Sequence, residues 1–74
     1  MPTRPILRLQ LPHRSGSEVL ELQQALGAHG YTLAADGVFG HGLDKAVRHF
    51  QKSENLEVDG IVDAKVWAAL LSDK

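Results

Sequence analysis

Basic side chains recur three or four positions apart in the middle of the chain, at Lys45, Arg48, His49 and Lys52. A helix places positions with this spacing on one face. A cationic face can pair with carboxylates, and it can equally serve only to keep a helix solvated. The spacing supports the two interpretations about evenly. A helix that reads DNA would need more flanking positive charge than a chain with 8 basic and 9 acidic residues carries.

Two other side-chain types could contact a ligand. Tyr31 follows a predicted helix end, where its ring could lie against a sugar, whereas Trp67 has the spacing of a core residue and is predicted to be buried. For Tyr31 a packing role is still favoured over a ligand contact. Gln23 and Gln51 each follow an apolar core residue, and an amide can both donate and accept hydrogen bonds. A structural role, satisfying backbone groups of a neighbouring loop, is favoured for both.

No arrangement of residues predicts catalysis, a metal site or a cofactor. The histidines lack the spacings of a zinc site, and no cysteine accompanies them. Asp36 and Asp59 could be imagined as the carboxylate pair of a glycosidase. Each is followed by glycine, however, and in such a turn the aspartate normally binds its own backbone. The histidines that lack the zinc-site spacings are His13, His29, His41 and His49.

Length and charge limit the protein class. The 74 residues form one small domain, with a net charge of −1 and no disulfide to stabilise it. The near-balance of charge argues against nucleic-acid and membrane-surface partners. No apolar run approaches the roughly 20 residues that span a bilayer, and residues 1–14 lack the unbroken apolar centre of a secretion signal. No signal peptide is therefore predicted in this chain.

The elements that position these side chains are an extended arm and three helices. Residues 1–14 hold all three prolines and are predicted to form the arm, with an extended stretch at Ile6 to Leu9 against the core. Residues 15–74 form the domain. Ser15 and Glu18 have the spacing of a capping box at the start of the first helix, which Gly30 ends.

The second helix is predicted from about Leu43 to Ser53, and the third begins near Asp63, a good N-cap. Apolar residues recur at helical spacing in all three segments. The predicted fold is an all-α three-helix bundle with two Asp-Gly loops. The predicted helical core is Val19, Leu22, Leu26, Leu43, Ala46, Val47, Phe50, Val66, Trp67 and Leu70.

The two connections repeat each other. Asp36-Gly37-Val38-Phe39 aligns with Asp59-Gly60-Ile61-Val62 at an offset of 59 − 36 = 23 residues, and the apolar pattern of the following helix stays in register. The shared pattern favours duplication over chance. Each unit would consist of a tight turn, two apolar residues that anchor the loop, and an amphipathic helix. Stacked units cover each other's apolar faces.

Short sequence elements follow one another in a specific order and spacing along the chain. They are V-x-x-L-Q-x-x-L at 19–26, Gly30-Tyr31, D-G-x-F-G at 36–40, A-V-x-x-F-Q at 46–51, Asn55-Leu56, D-G-I-V at 59–62 and W-x-x-L at 67–70. With these elements the chain resembles the peptidoglycan-binding domain family from about Leu7 to Leu71. Where the family usually has threonine, this chain has Leu43 and Val66, and Asp63 replaces a glycine of the second loop. Gly42 is unusual just before a helix.

The resemblance implies a non-catalytic module that binds bacterial cell-wall peptidoglycan, by its glycan or its stem peptides, and targets a linked cell-wall enzyme. It would then work in the cell wall, the periplasm or outside the cell. The alternative is a protein-interaction or assembly domain that keeps the fold without wall binding. The candidate ligand contacts are Tyr31, Lys45, Arg48, Gln51 and Lys52.

Overall fold

The computed structural model describes residues 6–10 and 14–71. Its helices are α1 (Ser17–Ala28), α2 (His41–Ser53) and α3 (Ala64–Leu71), with α1 packed against both of the others. Within the described ranges, extended pairing is limited to isolated antiparallel bridges, and no strand is formed. The predicted all-α, three-helix fold is confirmed. The division into residues 1–14 and 15–74 stays a prediction, and arm residues 1–5 and 11–13 lie outside the described part.

One apolar core joins the three helices, the two loops and the arm. Every residue of the predicted helical core is buried except Ala46, which is partly buried at its edge. The arm contributes Leu7, which is 0 % exposed, so the expectation that the Ile6 to Leu9 stretch lies on the core is confirmed. The loops contribute Phe39 and Val62. Only one apolar residue of each predicted anchoring pair is therefore fully buried, since Val38 is 37 % exposed and Ile61 is half-buried.

Each Asp-Gly loop also pairs with an N-terminal segment through its backbone. Leu7 and Val62 exchange N–H···O bonds of 3.1 and 2.7 Å in the second loop. In the first loop, Gly16 N donates to Gly37 O at 3.0 Å, and Ser15 forms a bridge with Val38. The loops thus satisfy their backbone groups without a sheet.

The helix C-termini close in the same way. Gly30 has a φ of 94°, and Tyr31 N donates to Leu26 O at 3.1 Å. After α2, Asn55 takes the left-handed conformation at φ 60°, and Leu56 N donates to Gln51 O at 2.8 Å. Both are Schellman ends, in which a residue in the left-handed region turns the chain back over the last helical turn. The predicted role of Gly30 is confirmed.

The helix starts differ from the predictions in two places. The prediction of a capping box at Ser15 and Glu18 is wrong. The α1 helix begins at Ser17, and its N-cap, Gly16, makes no side-chain capping bond. Backbone pairing of Ser15 with the first loop has displaced the local motif. The α2 helix begins at His41, about two residues before the predicted start. For α3 the predicted cap is confirmed, because Asp63 Oδ1 accepts from the N–H groups of Lys65 and Val66 at 3.1 and 3.2 Å.

Candidate functional site

Gln51 holds the second Asp-Gly loop from inside the protein. It is 1 % exposed. Its Oε1 accepts from the N–H groups of Gly60 and Asp59 at 2.9 and 3.2 Å, and its Nε2 donates to Asp59 Oδ1 and Ile61 O at 2.9 and 3.0 Å. Both ends of the amide are therefore occupied by the loop. The structural role favoured for this glutamine is confirmed.

Gln23 does the same for the first loop. It is 3 % exposed, its Oε1 accepts from Gly37 N at 2.8 Å, and its Nε2 donates to Asp36 Oδ1 and Val38 O at 2.9 and 3.3 Å. We call each of these arrangements, a helix glutamine bound to an Asp-Gly loop, a glutamine clamp. The matching clamps give Gln23 and Gln51 the same role, each on the helix that precedes its loop, although their separation of 51 − 23 = 28 residues differs from the 23-residue offset of the loops.

The aspartates of the two loops are held as turn-forming carboxylates. Asp36 Oδ1 accepts from Val38 N at 3.0 Å, and Asp59 Oδ1 accepts from Ile61 N at 2.9 Å. The hydrogen bond from Gln23 holds the pKa of Asp36 below its usual value, and the backbone N–H of Ile61 does the same for the pKa of Asp59. A lowered pKa keeps a carboxylate ionised, whereas a general acid needs a raised pKa. Neither aspartate is placed for acid catalysis.

A broad open groove of about 600 Å³ runs between α2 and the chain that follows α1. Gly42, Lys45, Ala46 and His49, at positions i, i+3, i+4 and i+7, form its α2 wall. The opposite wall includes Tyr31 and Thr32. This second stripe of α2, beside the apolar core stripe, was the sequence signal that could have identified the groove.

Tyr31 spans the groove and fixes its shape. Its hydroxyl shares a 2.7 Å hydrogen bond with His49 Nδ1, and the two rings meet at an angle of 75°. The tyrosine ring also lies edge-to-face near Phe50, with ring centroids 6.5 Å apart. These contacts hold the half-buried ring against α2. Tyr31 therefore has the packing role favoured for it and, at the same time, lines an open surface.

The structure brings together only part of the predicted contact set. Tyr31 and Lys45 line the groove, whereas Lys52 is exposed in the last turn of α2. Arg48 leaves the basic stripe toward the second loop: its Nε donates to Asp44 Oδ2 at 3.1 Å, and its guanidinium lies close to Gly60. Gln51 is in the interior.

The described ranges hold neither a metal-binding cluster nor a membrane-spanning helix. Residues 6–10 and 14–71 contain no group of three or more His, Asp or Glu side chains placed to hold a metal ion. In the same part of the chain, each helix is too short or too polar to cross a membrane. The groove beside Tyr31 and Lys45 combines open volume with polar side chains, and it holds two of the five predicted contact residues.

Comparison with known proteins gives consistent matches. The family model described as "Putative peptidoglycan binding domain" matches residues 15–70. The spore cortex-lytic enzyme of Bacillus cereus is 50 % identical over 58 residues, which are 77 % of this chain and 22 % of that enzyme. The chain thus spans about a fifth of the length of this relative.

Solved structures share the fold. The N-terminal domain of SleB superposes with a TM-score of 0.83 at 38 % identity, covering 93 % of this chain and 92 % of that domain. A fused zinc-dependent amidase/peptidase/peptidoglycan-binding protein from Clostridium acetobutylicum gives a TM-score of 0.86 at 35 % identity, covering 97 % of this chain and 31 % of the other. In both cases nearly the whole of the present chain is aligned.

Proposed function

The chain belongs to the peptidoglycan-binding domain family, and we propose from this membership that it binds bacterial cell-wall peptidoglycan and holds an attached lytic enzyme against its substrate. The domain itself is non-catalytic. The observation that carries the proposal is the groove between α2 and the Tyr31 segment, an open, polar-lined surface on a scaffold whose loop carboxylates are committed to turns.

The proposed contact surface differs from the set predicted from sequence. Tyr31 and Lys45 remain in it, and the groove adds Thr32 and His49. Lys52 is proposed as an outer contact, since it is exposed one turn beyond His49 on the same helix. Arg48 and Gln51 are proposed to act through the second loop, Arg48 from its surface and Gln51 from its interior.

Wall binding would act by raising the local concentration of an attached enzyme. Once the module is bound, each later encounter between the enzyme and the wall is intramolecular, with an effective concentration set by the linker. Weak binding suits this role because the enzyme must also move. Peptidoglycan-binding domains of lytic enzymes act in the wall, and we propose the same location here.

Co-sedimentation with purified insoluble peptidoglycan tests the proposal. The chain should sediment with the walls, and the double variant Tyr31→Ala/Lys45→Ala should bind about tenfold more weakly, because a lost charge-assisted hydrogen bond is worth about 1.5–3 kcal/mol. Lys65→Ala, which removes an exposed lysine on α3, is the matched control and should bind normally. Retention no better than that of an unrelated helical protein would refute wall binding.

Wall binding and the protein-interaction alternative make different predictions. An assembly domain would form concentration-dependent oligomers in sedimentation and would ignore the walls. The family match and the peptidoglycan-binding relatives favour wall binding over that alternative.

A further inference from the structure

The groove carries a positive charge and no carboxylate. None of its lining residues is Asp, Glu, Asn or Gln. Lys45 supplies an ammonium with three donor hydrogens, and Thr32 supplies a hydroxyl. A carboxylate forms a charge-assisted hydrogen bond with an ammonium, so it suits this surface better than an uncharged sugar hydroxyl does.

Tyr31 is held by two neighbouring rings of α2. His49 meets it at a ring-centroid distance of 5.5 Å, and Phe50 lies at 6.5 Å, both at steep angles. The tyrosine braces the groove, and Lys45 supplies the ammonium of its lining.

Gly42 in the groove wall is not required by the fold. It lies inside α2, where glycine is less favourable than alanine. Its φ is not positive, and a Cβ built on it would meet nothing within 4 Å. The fold would therefore accept a side chain there. A glycine without a structural reason in the wall of a groove leaves room for another backbone to approach.

These observations share one explanation, which rests on the proposed wall binding. We propose that the groove takes the stem peptide of peptidoglycan rather than its glycan strand, with a peptide carboxylate on Lys45 and the peptide backbone passing over Gly42. The absence of acidic side chains from the lining keeps repulsion low for an anionic peptide.

Soluble wall fragments separate this proposal from wall binding itself. An amidase that cleaves the bond between glycan and stem peptide dissolves purified walls into free stem peptides and peptide-free glycan strands, and each fraction is added as a competitor to chain bound to intact walls. The stem peptides should displace the chain at a concentration about tenfold or more below that needed for the glycan strands, the difference expected for one charge-assisted contact. Displacement by the glycan strands at the same or a lower concentration overturns the stem-peptide proposal and leaves wall binding standing. No retention on intact walls refutes wall binding.

Gly42→Ala and Gly27→Ala form a matched pair that tests whether the peptide backbone passes over Gly42. Gly27 also lies second from the end of a helix, with open space around it, and it is not part of the groove. Both variants should melt about 2–4 °C higher, because alanine favours the helix. Only Gly42→Ala should lose wall binding, about tenfold, since its methyl group would occupy space needed by the ligand. Equal binding by the two variants counts against the proposed backbone approach.

Lys45→Gln tests the anchor without relying on a change of backbone. Its binding to intact walls should weaken about tenfold, while its weaker binding to the soluble peptide-free glycan strands should equal that of the unaltered chain. An equal loss toward intact walls and toward glycan strands would mean that Lys45 contacts the glycan, and it would overturn the proposal.

Discussion

Replacing Gln51 with alanine removes one glutamine clamp and leaves the rest of the helix sequence unchanged. The Gly60 N–H that bonds to Gln51 is buried, and it would lose its partner. An unsatisfied buried donor costs about 1–3 kcal/mol. The other loop groups on Gln51 are partly buried and can turn to water, and the lost side chain leaves a hole worth about 1 kcal/mol. The expected loss of unfolding free energy is about 3 kcal/mol.

Two further alanine variants calibrate this value. Gln23→Ala should cost about 1.5 kcal/mol, because its loop bonds are only partly buried and water can replace them. Gln24→Ala, on the exposed side of α1, should change the free energy by no more than about 0.5 kcal/mol. A domain of this size has about 4–11 kcal/mol in total, so the Gln51 variant should still fold.

Urea denaturation followed by far-ultraviolet circular dichroism measures all three variants. In melting experiments the Gln51 variant should unfold about 12–24 °C lower than the unaltered chain. The slope of the free energy against urea should stay constant, showing that the native state is equally compact. A Gln51→Ala loss no larger than that of Gln24→Ala would refute the clamp as the device that holds the second loop.

Three other perturbations follow from the loops and caps. Asp63→Ala should lower the unfolding free energy, measured by urea titration, by about 1 kcal/mol, because α3 loses its N-cap. Asp63→Ser should retain most of the unfolding free energy, because serine can also cap a helix. The lowered pKa values of Asp36 and Asp59 mean that the folded state binds protons less readily than the unfolded state. The two carboxylates therefore stabilise the fold above the ordinary aspartate pKa of about 4, and this stabilisation is lost as the pH falls through the lowered pKa values. Melting temperatures should fall between pH 5 and pH 2. The fall should be smaller in an Asp36→Asn/Asp59→Asn variant. Gly60→Ala should lower the unfolding free energy by about 2 kcal/mol or more in a urea titration, because φ at Gly60 is 74° and the new Cβ would lie 2.9 Å from Arg48 Nη2. An unchanged urea midpoint would contradict this packing.

The sequence was sufficient for features set by local chemistry. Helical spacing of apolar residues predicted the core face of each helix, and Asp63 predicted the start of α3. The Asp-Gly pairs predicted both turns. The arm could be placed on the core because leucines alternate with polar residues at 7, 9 and 11. The backbone partner of Leu7, Val62, could not be identified from spacing alone.

Features set by long-range contacts were missed. The Ser15 to Glu18 spacing satisfies a local capping rule, but pairing of Ser15 with Val38 moves the helix start to Ser17. The α2 start was placed late because His41 and Gly42 give no apolar signal. The basic residues near 45–52 were treated as one stripe, whereas the structure turns Arg48 toward the second loop.

The glutamine clamps separate the residues that specify the fold from those that meet a ligand. One amide inside the protein and one Asp-Gly pair form each clamp, and the groove residues Thr32 and Lys45 take part in neither. Groove positions such as Thr32 and Lys45 can therefore be exchanged without reshaping the loops. A scaffold organised in this way can be retuned toward different wall chemistries by surface mutation alone, which makes the domain a convenient starting point for engineered wall-targeting modules.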